Sequence, residues 1–302
     1  MAGALEVHAA GLDDALFAGM SFTNRNTASY VTGRRSTAFQ PVSGGVFAPS
    51  NLRIMRFSMQ DCDGQWLDGS TLRLAFVLAN TGTQTLTPHT NSPASMFARL
   101  RVLAGGVEVT DIAEYGRTHE MFSNFLPAAR RSEDAIEGWG AIYAPTDALP
   151  LTVLSQNFSP APLAAGKKRR VLTQLLCPFF SNGKMLPLSL LGGLTVELQL
   201  GDINDAFNKP LSGQVNNWEI QSAELLCDCL SLDPSLSSSF ASHLLAGKTL
   251  PISYCNFFTF QTLITTASSV NIPCTRGFSR LNAVYITFTS AESRPISDFY
   301  SR

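Results

Sequence analysis

At 302 residues, 45% hydrophobic and only 15% charged, the chain is long enough to bury a sizeable core as one large β domain or two smaller ones. Its 22 Lys+Arg against 23 Asp+Glu leave a formal net charge of −1, which excludes a global basic field of the kind that holds nucleic acid by counterion release; no specific nucleic-acid binding is expected. No apolar run reaches the ~18 residues of a membrane span, and the opening MAGALEVHAAGLDDALFAGM carries Asp13 and Asp14 without a basic n-region, so neither a transmembrane helix nor a standard signal peptide is predicted, and the chain reads as soluble and non-secreted.

The 20 Phe, 16 Pro and 22 Gly suit many pleated, half-buried surfaces joined by many reversals, which makes all-β the leading class. Residues 1–34 include the polar SFTNRNTASYVTGR, lack sustained periodicity and read as an arm ordered on something else. β-like pieces follow at 36–42 and 52–60. In the second, Leu52, Ile54, Arg56 and Ser58 alternate with Arg53, Met55, Phe57 and Met59, so apolar residues lie on both sides, as in a strand covered on both faces or placed at a subunit contact. Asp61-Cys62-Asp63-Gly64 is a turn. Over 71–79 the alternation is clean, with Leu72, Leu74, Phe76 and Leu78 inward and Thr71, Arg73 and Ala75 outward.

A Thr/Asn/Pro loop over 80–93 leads to a strand at 97–103, and Gly105-Gly106 predicts a hairpin into 107–109. At Asp111, a plausible N-cap, the period changes: Ile112, Tyr115, Met121, Phe122, Phe125 and Leu126 fall near helical spacing, with a break expected near Gly116 and a stop at Pro127. The long loop 127–166, with Arg130-Arg131 and Glu133-Asp134, reads as functional or contact-making. Strand pattern resumes at 170–179. In KMLPLSLLGGLTVELQLGD, residues 184–202, Pro187 and Gly192-Gly193 precede strict alternation of Val196, Leu198 and Leu200 against Thr195, Glu197 and Gln199. Such a half-buried strand needs a facing sheet, and Val196, Leu198 and Leu200 are expected to share the core of Leu72, Leu74, Phe76 and Leu78. A further strand covers 218–230. The segment 233–246 reads as a short helix with Asp233 as N-cap, Pro234 first and Gly247 closing it. Strands are predicted again at 250–265 and 280–289, too few residues for a second complete sandwich, so the chain is expected to stop inside a second unit.

No catalytic constellation emerges. His8, His89, His119 and His243 are scattered, and His119-Glu120 lacks a second histidine four positions on, where Ser123 stands, so the reading is a partly exposed helix histidine and not a zinc site. The acidic groups Asp61/Asp63, Asp111/Glu114, Glu133/Asp134/Glu137 and Asp202/Asp205 lie in turns or helix starts, where carboxylates cap and solubilise; a glycosidase would need two of them facing each other. Cys62, Cys177, Cys227, Cys229, Cys255 and Cys274 are too sparse for a disulfide scaffold, and Cys227 and Cys229 share one strand face as reduced thiols. Lys167-Lys168-Arg169-Arg170 is read as a solvated strand start ahead of a nuclear-import or phosphate-binding role. No catalytic residue, cofactor or metal ligand is assigned, and no enzyme activity is expected.

Taken in order, FQPVSGGVFAPSNLRIMRFSM, WLDGSTLRLAFVLAN, SMFARLRVLAGGVEVTDIAEYGRTHEMFSNFLP and KMLPLSLLGGLTVELQLGD resemble the N-terminal jelly roll of double jelly-roll major capsid proteins from the Polinton-like virus and virophage group. The units RVLAGGVEVTDIAEYGR and LPLSLLGGLTVELQL carry most of the resemblance, which covers roughly residues 30–232. It implies an all-β, antiparallel jelly-roll sandwich with short helical inserts, followed by the opening strands of a second, incomplete jelly roll: an arm at 1–34, the first roll at 35–232, a helical linker at 233–249 and the start of the second roll at 250–302. It also implies a structural subunit of an icosahedral double-stranded DNA virus shell. Three such subunits would form a pseudo-hexagonal, homotrimeric capsomer that contacts neighbouring capsomers and penton or other minor capsid proteins in the virion. The competing reading is a carbohydrate-binding or carbohydrate-cleaving β-sandwich, which would present Trp66, Trp139 or Trp218 on a concave face beside carboxylates such as Glu137.

Overall fold

The computed structural model describes residues 30–60, 65–88, 92–123, 125–126, 139, 162–207, 216–262, 271–274, 276–278 and 280–287. Ten strands form in chain order among them: β1 (Val31–Phe39), β2 (Val46–Phe47), β3 (Ile54–Met59), β4 (Trp66–Asn80), β5 (Phe97–Ala104), β6 (Val107–Ala113), β7 (Lys168–Gln174), β8 (Met185–Pro187), β9 (Leu194–Leu200) and β10 (Trp218–Leu232). Helix α1 (Tyr115–Ser123) follows β6 and helix α2 (Pro234–Leu245) follows β10.

The first sheet has the order β1-β10-β4-β7, with β2 also pairing with β10 and β8 with β4; the second has the order β3-β9-β5-β6. Every named pairing is antiparallel. Apart from the β5–β6 hairpin, successive main strands cross between the two sheets, which makes the eight main strands an antiparallel jelly roll. The inward residues read from the sequence are where alternation puts them. Leu72, Leu74, Phe76 and Leu78 from the first sheet and Val196, Leu198 and Leu200 from the second belong to one buried cluster with Met55, Phe57 and Met59. Phe76 and Phe97 meet edge to face across the sandwich, ring centroids 6.3 Å apart.

Several boundaries differ from the sequence reading. β1 begins at Val31, inside the stretch read as an arm, because its ladder to β10 reaches back to the Val31–Leu232 pair. The outward face of β3 is not covered: Arg56 lies in cross-strand ion pairs, and Ile54 is exposed. β7 stops at Gln174, and the chain then turns with Ser181 N–H donating to Cys177 O at 3.2 Å. Asp111 is not an N-cap; it and Ile112 are in β6, and Glu114, at φ +49°, makes the corner into α1. Helix α1 runs through Gly116 without a break. This glycine is needed for close approach, since a Cβ there would sit 2.8 Å from Ser95 Cα and 3.0 Å from Ala94 O in the short 3-10 turn Pro93–Met96. The turn at 61–64 and most of the loop 127–166 lie outside the described residues.

Helix α2 matches its sequence signals. Asp233 Oδ1 accepts from Ser235 N–H at 2.8 Å, Pro234 is the first residue, and Gly247 follows the C-cap at φ +75°. Phe240 packs on Trp66 of β4 with ring centroids 4.8 Å apart. The strands expected over 250–265 and 280–289 do not form among the described residues, 250–262 and 280–287. The first of these segments instead lies along β6: Tyr254 Oη and Asn256 Nδ2 donate to Val109 O at 2.7 and 3.1 Å, and Thr259 Oγ1 donates to Ala113 O at 2.9 Å. Alternating apolar residues say that a segment has two unlike faces; they do not supply a ladder partner, and here side chains bond to the β6 carbonyls where a strand's amides would.

Candidate interaction surface

The residues singled out for chemistry are dispersed or neutralised. Asp111 holds Arg99 through two bonds at 2.7 and 2.6 Å, and this hydrogen bond raises the Arg99 guanidinium above its ordinary value. Asp202 pairs with Arg53 at 2.9 Å, and Asp205 Oδ2 accepts from Asp202 N–H at 2.7 Å, closing a local turn. Glu114, Asp202 and Asp205 do line one cleft of about 90 Å³, together with Arg53, Arg117 and Ser95. Its three carboxylates share that space with two guanidinium groups, which offset most of the charge. Asp61, Asp63, Glu133, Asp134 and Glu137 lie outside the described residues.

His119 is half-buried on α1, with Nδ1 3.2 Å from Ser92 Oγ, and burial lowers its pKa to about 4. His243 is in the last turn of α2, and His8 and His89 lie outside the described residues. Among the described residues no three His, Cys, Asp or Glu side chains converge as a metal cage would require. Cys227 and Cys229 are buried on the same face of β10 with Sγ atoms 4.0 Å apart; the Cys227 thiol is pushed up by its hydrogen bond to Cys229 and then by burial. Burial also pushes the Cys177 thiol up to about 11. Cys255 and Cys274 are exposed and free, and Cys62 lies outside the described residues.

The basic run divides between the two sides of β7. Lys168 Nζ donates to Gln221 Oε1 at 2.8 Å, and Arg169 turns the other way to donate to Pro162 O at 3.0 Å, where burial lowers its pKa. No concentrated cationic face results from those two side chains. Trp139 and Trp218 are fully buried, each against Phe207 with ring centroids 6.1 and 5.7 Å away, and Trp66 packs at a tilt on Phe240. None of the three is a bare platform for a sugar.

What the structure does organise is its sheet faces, a feature that sequence alone could not show because the partners come from distant strands. On the second sheet a charge row crosses all four strands: Arg56 of β3 to Glu197 of β9 at 2.6 Å, Glu197 to Arg101 of β5 at 3.1 Å, and Arg101 to Glu108 of β6 at 2.8 Å. Glu197 is only 8% exposed because two arginines cover it. On the first sheet Arg34 of β1 bridges Asp228 of β10 at 2.8 Å and Asp68 of β4 at 3.3 Å. Alternating signs fix register between neighbouring strands and leave a stiff, charged, nearly neutral outer surface.

No family model matches the sequence, and no curated protein matches it. Among solved structures the chain is similar to the PBCV-1 virus capsid (15% identity, TM-score 0.45, 73% of this chain and 48% of that one). It is also similar to the structure of the Sputnik virophage (10%, TM-score 0.45, 72% and 52%) and to the mavirus major capsid protein (12%, TM-score 0.36, 72% and 52%). The chain spans about half the length of these structures, and the proteins it is similar to are double jelly-roll viral major capsid proteins.

Proposed function

We propose that the chain is a structural subunit of a viral capsid, working through its sheet faces, edges and loops. The observation that carries the reading is the strand order, β1-β10-β4-β7 against β3-β9-β5-β6: a complete eight-stranded jelly roll, the architecture of many capsid domains. The two sequence units that carry the capsid resemblance fall on β5-β6-α1 and on β8-β9, so both belong to elements that build the roll. Ionised side chains on both outer faces are held in cross-strand pairs, which suits a surface that tiles better than one that turns over a substrate.

In this reading the subunit is non-enzymatic, forms homotrimeric pseudo-hexagonal capsomers with a second unit that starts within 250–302, and resides in the virion of an icosahedral double-stranded DNA virus of the Polinton-like or virophage group. The carbohydrate reading has lost its aromatic platform, since Trp139 and Trp218 are buried and Trp66 is packed against Phe240. Size-exclusion chromatography with light scattering, followed by electron microscopy of the main species, tests the proposal. Threefold particles with a pseudo-hexagonal outline support it; a monomer that binds oligosaccharide in a glycan screen overturns it.

A further inference from the structure

The second sheet is closed by its own chain at both edges. At β3, Val42 N–H donates to Arg56 O at 2.8 Å, Ser43 Oγ donates to Ile54 O at 3.0 Å, and Arg56 N–H returns a bond to Ser43 Oγ at 3.3 Å. At β6, Tyr254, Asn256 and Thr259 bond to the carbonyls of Val109 and Ala113. Both sets of bonds consume groups that an edge strand otherwise offers to another chain. The two closures differ in kind. Residues 41–43 lie in the short connection between β1 and β2, whereas the β6 closure comes from a segment that follows α2 and bonds through side chains. Within that segment, Phe257 N–H is satisfied locally by Asn256 Oδ1 at 3.0 Å, and the Phe257 ring stacks on Phe122 of α1 at 4.6 Å.

We propose that residues 254–259 are an edge guard, a releasable clasp that keeps β6 from pairing with the β6 strand of a second copy of this chain. The carbonyls of Val109 and Ala113 point off the sheet; at Ala113, in regular antiparallel register, the amide does too, as do the groups of Asp111 two residues back, so β6 carries an outward row of donors and acceptors ready for strand addition once the clasp lifts. Val109 is also the bulge residue without a β5 partner, because the register passes from Val102–Thr110 to Leu103–Glu108. The inference does not depend on the capsid reading: it concerns which edge the chain keeps closed, whatever it assembles into.

The test uses the full chain with Tyr254→Phe, Asn256→Ala and Thr259→Val combined, which removes the three donors and keeps most of the apolar surface. Limited proteolysis within 250–262 should quicken about tenfold or more, with amide protection of β4 and β10 unchanged as proof of folding. Light scattering should then show a larger species at micromolar concentration than the unaltered chain forms. Adding Ala113→Pro deletes an outward N–H in the regular part of β6 and should restore the original size. The proposal is overturned if cleavage within 250–262 does not quicken, if the size distribution stays unchanged once it has quickened, or if Ala113→Pro fails to reverse the larger species.

Discussion

Arg99 and Asp111 are diagonal neighbours across the β5–β6 hairpin, Nε and one Nη of the guanidinium bonding the two carboxylate oxygens at 2.7 and 2.6 Å. The pair accounts for the placement of Asp111 in a strand, although the residue also has the chemistry of a helix cap. Asp111→Asn should weaken the fold by about 1 kcal/mol, since the pair is bidentate but only partly buried, and should leave the helical far-UV signal intact. Urea denaturation with circular dichroism checks both; a selective loss of helix would restore the capping role.

The sandwich core makes a stronger demand. Leu74 is fully buried between the sheets, so Leu74→Ala should cost about 2–5 kcal/mol through lost transfer energy and a residual cavity. Leu74→Asp would strand a carboxylate there and should abolish soluble expression or lower the melting temperature severely. Soluble Leu74→Asp protein with an unchanged melting temperature would refute the core assignment.

Much of this fold was legible because the signals were local. Alternation over 71–79 and 195–200, the Gly105-Gly106 turn at φ +56° and +81°, and the Asp233, Pro234 and Gly247 punctuation of α2 are each set within a few residues. What failed was decided by distant partners. The spacing of Ile112 and Tyr115 fits a helix as well as a strand, and Arg99, twelve residues back, settles it. The alternation over 250–265 predicted a strand, but the carbonyls that its described part, 250–262, meets belong to β6, 145 residues upstream of Tyr254. The charge row centred on Glu197 draws on Arg56 and Arg101, 141 and 96 residues away, so periodicity showed Glu197 as outward-facing and could not show it covered.

Gly116 offers a test in which local propensity and packing disagree in sign. In an exposed helix Gly→Ala gains about 1 kcal/mol. Here the new methyl would press into backbone atoms of Ser95 and Ala94 at 2.8 and 3.0 Å, and neither can swing aside as a flexible side chain would. Gly116→Ala should therefore destabilise the protein, by about 1–3 kcal/mol, in chemical denaturation. A stabilised variant would mean that the contact between α1 and the 3-10 turn is looser than the geometry requires.

His119 gives the fold a defined response to acid. Its pKa falls from 6.5 to about 4 because burial disfavours the imidazolium. The unfolded chain therefore takes up a proton at this residue near pH 6.5, whereas the folded chain resists until about pH 4. Stability contributed by the neutral ring is fully present above pH 6.5 and is lost as pH falls through the window between the two values, since the unfolded state then binds more protons. Between pH 7.5 and 5 the loss should reach up to about 2 kcal/mol. His119→Gln lacks the titration and keeps a polar group beside Ser92, so its stability should fall less over the same interval. Unfolding free energies for the two proteins at half-unit pH steps supply the comparison, and parallel curves would show that His119 is solvated well enough in the native state to accept a proton freely.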